Sequence, residues 1–458
     1  MSFPSYPAYK DSSVEWLGEV PQNWSVHSLK RTVDGCVNGL WGDEPDGEND
    51  IAVIRVADFE RSFSTVGLDK LTYRSITPKE RQSRLIKSGD LLIEKSGGGE
   101  KTLVGCVVLF KHEFDAITSN FVARMRPLAE FDSQFLCYAF GNLYHGRVNY
   151  SSVKQVTGIQ NLDAESYLQE RFCFPTRVEQ IQIARFLDHE TARIDALIEE
   201  QQRLIELLKE KRQSVISHAV TKGLDPTVPM KDSGVEWLGE VPAHWICKSY
   251  RYASVIYRGK FSHRPRNDPS LYDGDFAFIQ TGDIARADKY IRDYKQTLNE
   301  KGAAVSQKFP AETLVMAIAA NVGDTAILGF EAYAPDSVVG FKPEKNIELE
   351  FLRFSLIAAL QELKKTSTQS TQANLNIDRI SGIQSVFPPA AEQVEISVYL
   401  NGLMEQFSLL EQQAMASIKL MNERRFALIS AAVTGKIDVR NWQSPASAPT
   451  PESAQEAV

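Results

Sequence analysis

Cysteine is sparse and scattered, with five in 458 residues: Cys36, Cys106, Cys137, Cys173 and Cys247. No two form a CxxC pair, so neither a zinc site nor a disulfide framework is indicated. Long apolar runs are missing as well, and nothing approaches the roughly 18–20 residues of a membrane span. The opening "MSFPSYPAYKDSS" lacks the basic-then-apolar order of a secretory signal. The expected setting is therefore the cytoplasm, with no membrane partner. Positive charge is short overall, the net being −8, which taken alone speaks against a polyanionic ligand.

Catalytic signatures are also lacking. "IEKSGGGEKTL" (Ile93–Leu103) follows an expected strand, but Lys95 stands where the first glycine of a phosphate loop is needed and Glu100 precedes Lys101. Pro335-Asp336 with Glu362-Leu363-Lys364 imitates a nuclease pairing, yet its second half lies in a helical pattern. The seven histidines have no metal-ligand spacing, and "NDPSLY" (Asn267–Tyr272) has one proline where an amino-methyltransferase loop needs two. These residues offer no defensible active site, and none of them marks a metal or cofactor site.

What the sequence does contain is itself, twice. "KDSSVEWLGEVPQNW" from Lys10 returns as "KDSGVEWLGEVPAHW" from Lys231, with twelve of fifteen residues identical. "FPTRVEQIQIARFL" from Phe174 returns as "FPPAAEQVEISVYL" from Phe387, and at the same offset of 213 "AVTKGLD" from Ala219 meets "AVTGKID" from Ala432. Each interval between these last anchors reads as one helix, Val178–Thr221 and Ala391–Thr434, about 65 Å long at 1.5 Å per residue. Leu187, Ile194, Gln201, Leu208 and Val215 recur every seventh residue, as do Leu400, Phe407, Ala414, Met421 and Leu428. That spacing is a coiled-coil seam; Ile183, Leu197, Ile198, Leu204 and Ile205, with Ile396, Leu403, Met404, Leu410 and Ile418, are expected to widen it. Connectivity then suggests two globular domains at opposite ends of an antiparallel helix pair, related by a pseudo-two-fold.

The globular parts share a skeleton but little sequence. "IAVIRVADF" from Ile51 answers "FAFIQTGDI" from Phe276, and "ITSNFVARMRP" answers "APDSVVGFKP". The scaffold is common and the loops differ, as expected of one framework with two specificities. Charge is local too. Asp34–Glu60 holds eight acidic residues against Arg55, whereas Ile246–Arg266, "ICKSYRYASVIYRGKFSHRPR", holds six basic residues and no acidic one. A basic strand interleaved with Tyr250, Tyr252, Tyr257 and Phe261 suits a nucleic-acid backbone. The candidate contacts in this stretch are Arg258, Lys260, His263, Arg264 and Arg266. Lys95 and Lys101 sit in the glycine turn. Amide- and hydroxyl-rich loops add Lys154, Gln155, Thr157 and Gln160 in the first copy, and Gln280, Asn321, Gln369, Thr371 and Gln372 in the second, as groups suited to base edges. The acidic stretch is out of place beside phosphates.

The doubled entrance motif, the Phe-Pro-x-x-x-Glu-Gln helix entry and the doubled domain-plus-helix layout resemble the specificity subunit of type I restriction-modification enzymes, over about residues 8–440. The resemblance implies an α+β fold in which two α/β target recognition domains, 1–174 and 226–387, are separated by spacer helices within 175–225 and 388–440. Residues 441–458 form a Pro/Ser/Ala-rich tail of the kind that stays disordered. It further implies a non-catalytic subunit that reads a bipartite, asymmetric site in double-stranded DNA. Two modification subunits carrying S-adenosylmethionine would dock on it, and restriction subunits using ATP and Mg would join. Carried onto this chain, Trp16, Leu17, Trp24, Trp237, Leu238 and Trp245 would form the docking surface. Leu187, Ile194, Leu208, Val215, Leu400, Phe407, Met421 and Leu428 would pack the helices together. The alternative from the residues alone is a duplicated scaffold that binds only protein.

Overall fold

In the computed structural model, which describes residues 3–98, 102–156, 158–319, 322–366 and 377–445, the repeated entrance motif folds as a ribbon. Tyr9–Asp11 pairs antiparallel with Glu19–Pro21, and Met230–Asp232 pairs the same way with Glu240–Pro242. Each ribbon ends at a buried tryptophan. A buried indole N–H needs an acceptor. Trp24 Nε1 donates to Glu179 Oε1 at 3.0 Å, and Trp245 Nε1 donates to Glu392 Oε1 at 3.0 Å. Both acceptors are the glutamate of Phe-Pro-x-x-x-Glu-Gln. The glutamine beside it is equally committed. Gln180 donates to Pro175 O at 2.9 Å and accepts from Asp132 N at 2.8 Å; Gln393 donates to Pro388 O at 2.8 Å and accepts from Glu348 N at 2.8 Å. The doublet locks the start of each long helix onto its globular part.

The long helices run Arg177–Lys222 and Ala390–Val433, each end within one residue of the expected bounds. The chain divides inside both helices into two compact units, Met1–Gln201 with Ala416–Val458, and Gln202–Met415. Each unit therefore owns the first part of one long helix and the last part of the other. Within the first unit these parts run antiparallel: Asp195 Oδ1 lies 3.0 Å from Arg425 Nε, and the earlier Gln182 bonds the later Val439 O at 3.1 Å. Within the second, Arg212 Nε meets Met404 Sδ at 3.1 Å, while the later Ile216 and Val220 share a core with the earlier Ile396 and Leu400. Gly435 ends the second helix at φ +72°, with Pro21 and Trp24 so close that a Cβ there would collide.

Leu187, Ile194, Leu400 and Ala414 are buried, and Leu208, Val215, Phe407, Met421 and Leu428 are half-buried. The wider stripe holds in part: Ile183, Ile205, Ile396 and Met404 are buried and Ile198, Leu403 and Ile418 half-buried. Leu197, Leu204 and Leu410 are the correction, at 42%, 41% and 46% exposed, because a pair of helices covers only a narrow seam.

The globular parts repeat one topology. In the first unit a sheet runs in the order Val37–Asn38, Val122–Met125, Leu91–Glu94, Val107–Leu109, Thr65–Val66 and Phe59–Glu60. In the second the order is Ser254–Arg258, Val338–Pro343, Leu314–Ala317, Thr325–Leu328 and Tyr290–Ile291. Taken from the first strand, both sheets make three antiparallel pairings and then a parallel one. A smaller sheet repeats too. Asp50–Ile54 lies between antiparallel Thr72–Ser75 and parallel Ala116–Thr118; Tyr272–Phe278 lies between antiparallel Gln296–Leu298 and parallel Ala332–Ala334. Ile51 to Ile54 are all buried, which is why that strand reads as a continuous apolar run.

Candidate nucleic-acid interface

In the first unit the glycine turn and the polar loop, far apart in sequence, join one sheet. Ser96 and Gly97 pair with Asn161 and Gln160, and Ile159–Leu162 pairs with Val153–Val156. Beside this sheet lies a groove of about 550 Å³ lined by Trp41, Arg55, Ser96, Gly97, Phe121 and Ile159, among others. Trp41, Phe121 and Ile159 are 39%, 46% and 53% exposed, an uncommon display of large apolar side chains in one hollow. Lys95 Nζ donates to Asn38 Oδ1 at 2.8 Å. Lys154 is exposed and paired with Asp163 at 2.9 Å, a bond that raises its pKa. Gln155 is exposed. Gln160 departs from expectation as a base reader: it is buried, and its Oε1 accepts from Val104 N at 3.0 Å, pinning the chain behind the glycine turn. Lys101 and Thr157 lie outside the described residues.

In the second unit a groove of about 390 Å³ is lined by Phe261, Arg266, Asn267, Tyr272, Gln280 and Gln296, with Pro335 and Ser337. Arg258 and Lys260 are exposed. Arg266 is held by Asp336 at 2.5 Å, Arg264 lies 4.0 Å from the same carboxylate, and His263 Nε2 meets Asp268 at 3.1 Å. The expected run of free cations interleaved with aromatics needs correcting. Tyr250 is wholly buried against Ser355, Phe261 is 3% exposed, and Lys248 sits 5.1 Å over the Phe387 ring, where burial lowers its pKa. Tyr252, 70% exposed, is the aromatic of this stretch most open to solvent. The nuclease-like half-motif falls in the helix Leu349–Thr366, and Asp336 serves the arginines instead. Asn321, Gln369, Thr371 and Gln372 lie outside the described residues.

The acidic stretch loses its paradox. Asp34 accepts from Arg126 N at 3.1 Å and faces Arg124 at 3.5 Å; Glu44 pairs with Arg74 at 2.7 Å; Asp58 pairs with Arg55 at 2.8 Å. Asp46 accepts from Ser75 Oγ at 2.5 Å and from the backbone of Asn49 and Glu48, which holds its carboxyl well below the usual range. Glu44 and Asp46 tie their loop to the small-sheet strand Thr72–Ser75, Asp34 ties its loop to the larger sheet, and Asp58 closes its own turn. Trp41, Arg74 and Phe121 were not legible as groove residues from the sequence, although Arg74 stacking 4.9 Å over Trp41 belongs to the same aromatic-and-cation class.

The docking residues need the largest correction. Leu17, Trp24, Leu238 and Trp245 are at most 4% exposed and so offer no surface; they hold the ribbon on the helix ends. Trp237 is half-buried and donates to Gln384 O at 3.2 Å, while Trp16, 40% exposed, stacks on Phe172.

Comparison with known proteins agrees with this architecture. Residues 263–420 match the type I restriction modification DNA specificity domain. A putative type I restriction enzyme specificity subunit of Methanocaldococcus jannaschii, MjaX, is 22% identical over 436 residues, 93% of this chain and 96% of that protein. The EcoKI specificity subunit of Escherichia coli is 21% identical over 452 residues, 93% of this chain and 92% of that one. Among solved structures, a chain from a study of type I R-M complex assembly and conformational transition covers 90% of this chain at TM-score 0.65 and 15% identity. The HsdS subunit from Thermoanaerobacter tengcongensis covers 91% at TM-score 0.52 and 14% identity. The mixed fold with long helices is thus shared with these solved structures, one of them an HsdS subunit. The family likeness carried by the repeated motifs is found again in nearly full-length sequence similarity, a domain match and fold. The named relatives are specificity subunits of type I restriction enzymes. Among the described residues no helix is long and apolar enough to cross a membrane.

Proposed function

We propose that this chain reads a bipartite, asymmetric site in double-stranded DNA for a type I restriction-modification complex in the cytoplasm. Each unit reads one half-site. The chain docks two modification subunits, which bring S-adenosylmethionine and methylate adenine, and restriction subunits that use ATP with Mg join them. The observation that carries this reading is one skeleton built twice with different groove linings. A duplex backbone has local two-fold symmetry, so equivalent frames suit equivalent backbones while different side chains select different bases. Docking is supported by the long helices, on which Leu207, Leu409 and Leu420 are 51%, 55% and 64% exposed.

The test is to express the chain with its modification partner and map methylated adenines. A two-part motif with an unread gap is expected. DNA affinity should also fall steeply between about 50 and 200 mM salt. No DNA affinity in the presence of the partner would leave a protein-only scaffold.

A further inference from the structure

Arg55 and Gln280 occupy the same place in the repeated skeleton. Each follows the central strand of the small sheet, and each caps the short helical turn that comes next, Val56–Asp58 or Thr281–Arg286. Their backbones coincide, φ −110° and ψ 166° against φ −110° and ψ 169°. The turns are closed alike: Asp58 Oδ2 accepts from Arg55 N at 2.7 Å, and Asp283 Oδ2 accepts from Gln280 N at 2.8 Å. The frame is therefore fixed in both units while the side chain changes. Local structure does not call for either residue, since this position favours Ser, Thr, Asn or Asp and the closing bond comes from the following aspartate.

Both side chains line the groove of their own unit. Asp58 grips the Arg55 guanidinium from one side, Nε to Oδ2 at 3.2 Å and Nη2 to Oδ1 at 2.8 Å, and Nη2 also donates to Lys70 O at 3.1 Å. Nη1 takes part in none of these bonds. An arginine so braced offers its Nη1 amino group to the groove at little entropic cost. The Gln280 amide is steadied by that of Gln296 in the same groove. Arginine is the side chain that pairs with guanine O6 and N7, and glutamine is one that pairs with adenine N6 and N7.

We propose that Arg55 and Gln280 are paired specificity-determining residues, Arg55 reading a guanine in one half-site and Gln280 an adenine in the other. This rests on the chain being a DNA specificity subunit. The test begins with the complex of this chain and its modification partner, whose methylated motif is mapped for the wild type, Arg55→Gln and Gln280→Arg. Arg55→Gln should lose a guanine requirement at one position, Gln280→Arg should lose an adenine requirement at one position, and the two changes should fall in opposite halves. An unchanged motif in variants that still methylate overturns the proposal, because a merely structural arginine would alter yield and not sequence.

Should a variant fail to assemble, the wild-type complex is tested on duplexes carrying 7-deazaguanine or 7-deazaadenine, one base at a time. A loss of about tenfold or more at one guanine in one half and one adenine in the other supports it. Insensitivity of every guanine in one half and every adenine in the other overturns it. A wild-type complex that marks no defined motif would instead overturn the specificity-subunit reading, and this inference with it.

Discussion

The two units differ most instructively at one register position. Glu94 ends the strand Leu91–Glu94 opposite Val122, and Ala317 ends Leu314–Ala317 opposite Val338. Glu94 is 1% exposed and bound to Arg61 at 2.8 Å; Ala317 is wholly buried among apolar neighbours. The same frame thus accepts an ion pair or a methyl group at one point, whereas the Trp–Glu locks are alike to a tenth of an ångström. The two copies agree in the locks and differ at the strand ends and in the grooves.

That contrast can be broken from its strongest point downward. Trp24→Ala and Trp245→Ala should each destabilise by about 3–5 kcal/mol, read by chemical denaturation, with similar losses because the locks are equivalent. Trp16→Ala, at a partly exposed ring, should cost clearly less. Arg61→Ala should cost about 3–5 kcal/mol by stranding a buried carboxylate. Adding Glu94→Ala should recover most of that loss, since the second unit manages with alanine; a double variant as unstable as the single one would mean the position is not equivalent.

The grooves give the next effect. The triple variant Arg258→Ala, Lys260→Ala, Arg264→Ala should lower the slope of log affinity against log salt by about 2–3. An unaltered slope would move the phosphate contact elsewhere.

Acid gives a smaller effect, directed at the first unit. Burial lowers the pKa of His27 and of His145 from 6.5, with Arg31 and Arg425 adding to it. A depressed histidine pKa means that the unfolded chain binds more protons, so stability is complete above about pH 6.5 and falls as pH drops towards the folded values. His27→Gln with His145→Gln should flatten thermal stability between about pH 7 and 5; an unflattened profile would assign the loss to other groups. Glu44→Gln should change stability by under about 1 kcal/mol, because the Glu44 carboxylate of the pair with Arg74 is itself solvent-exposed.

Much of the frame was legible because it is written in local patterns. Periodicity placed both long helices within a residue, and identity at fixed offset revealed the duplication. The alternation of strand-like runs matched the repeated sheets. The site was far less legible. Base-edge chemistry pointed to Gln160, which folding commits to Val104 N, and nothing local distinguished Trp24 and Trp245 as core from the partly exposed Trp16 in the same motif. Arg55 looked like a lone cation in an acidic run until its equivalence to Gln280 emerged from backbone and capping geometry.

The sequence by itself determined that this protein is built twice from one plan, with helices whose seam repeats every seven residues. Those properties depend on neighbours a few positions away along the chain. Only the tertiary structure decided which charges are spent and which are offered. Asp34 with Arg126, Glu44 with Arg74, and Asp336 with Arg266 join residues 92, 30 and 70 positions apart. Such pairings depend on which strands lie side by side, and a charge count along the chain does not carry that information.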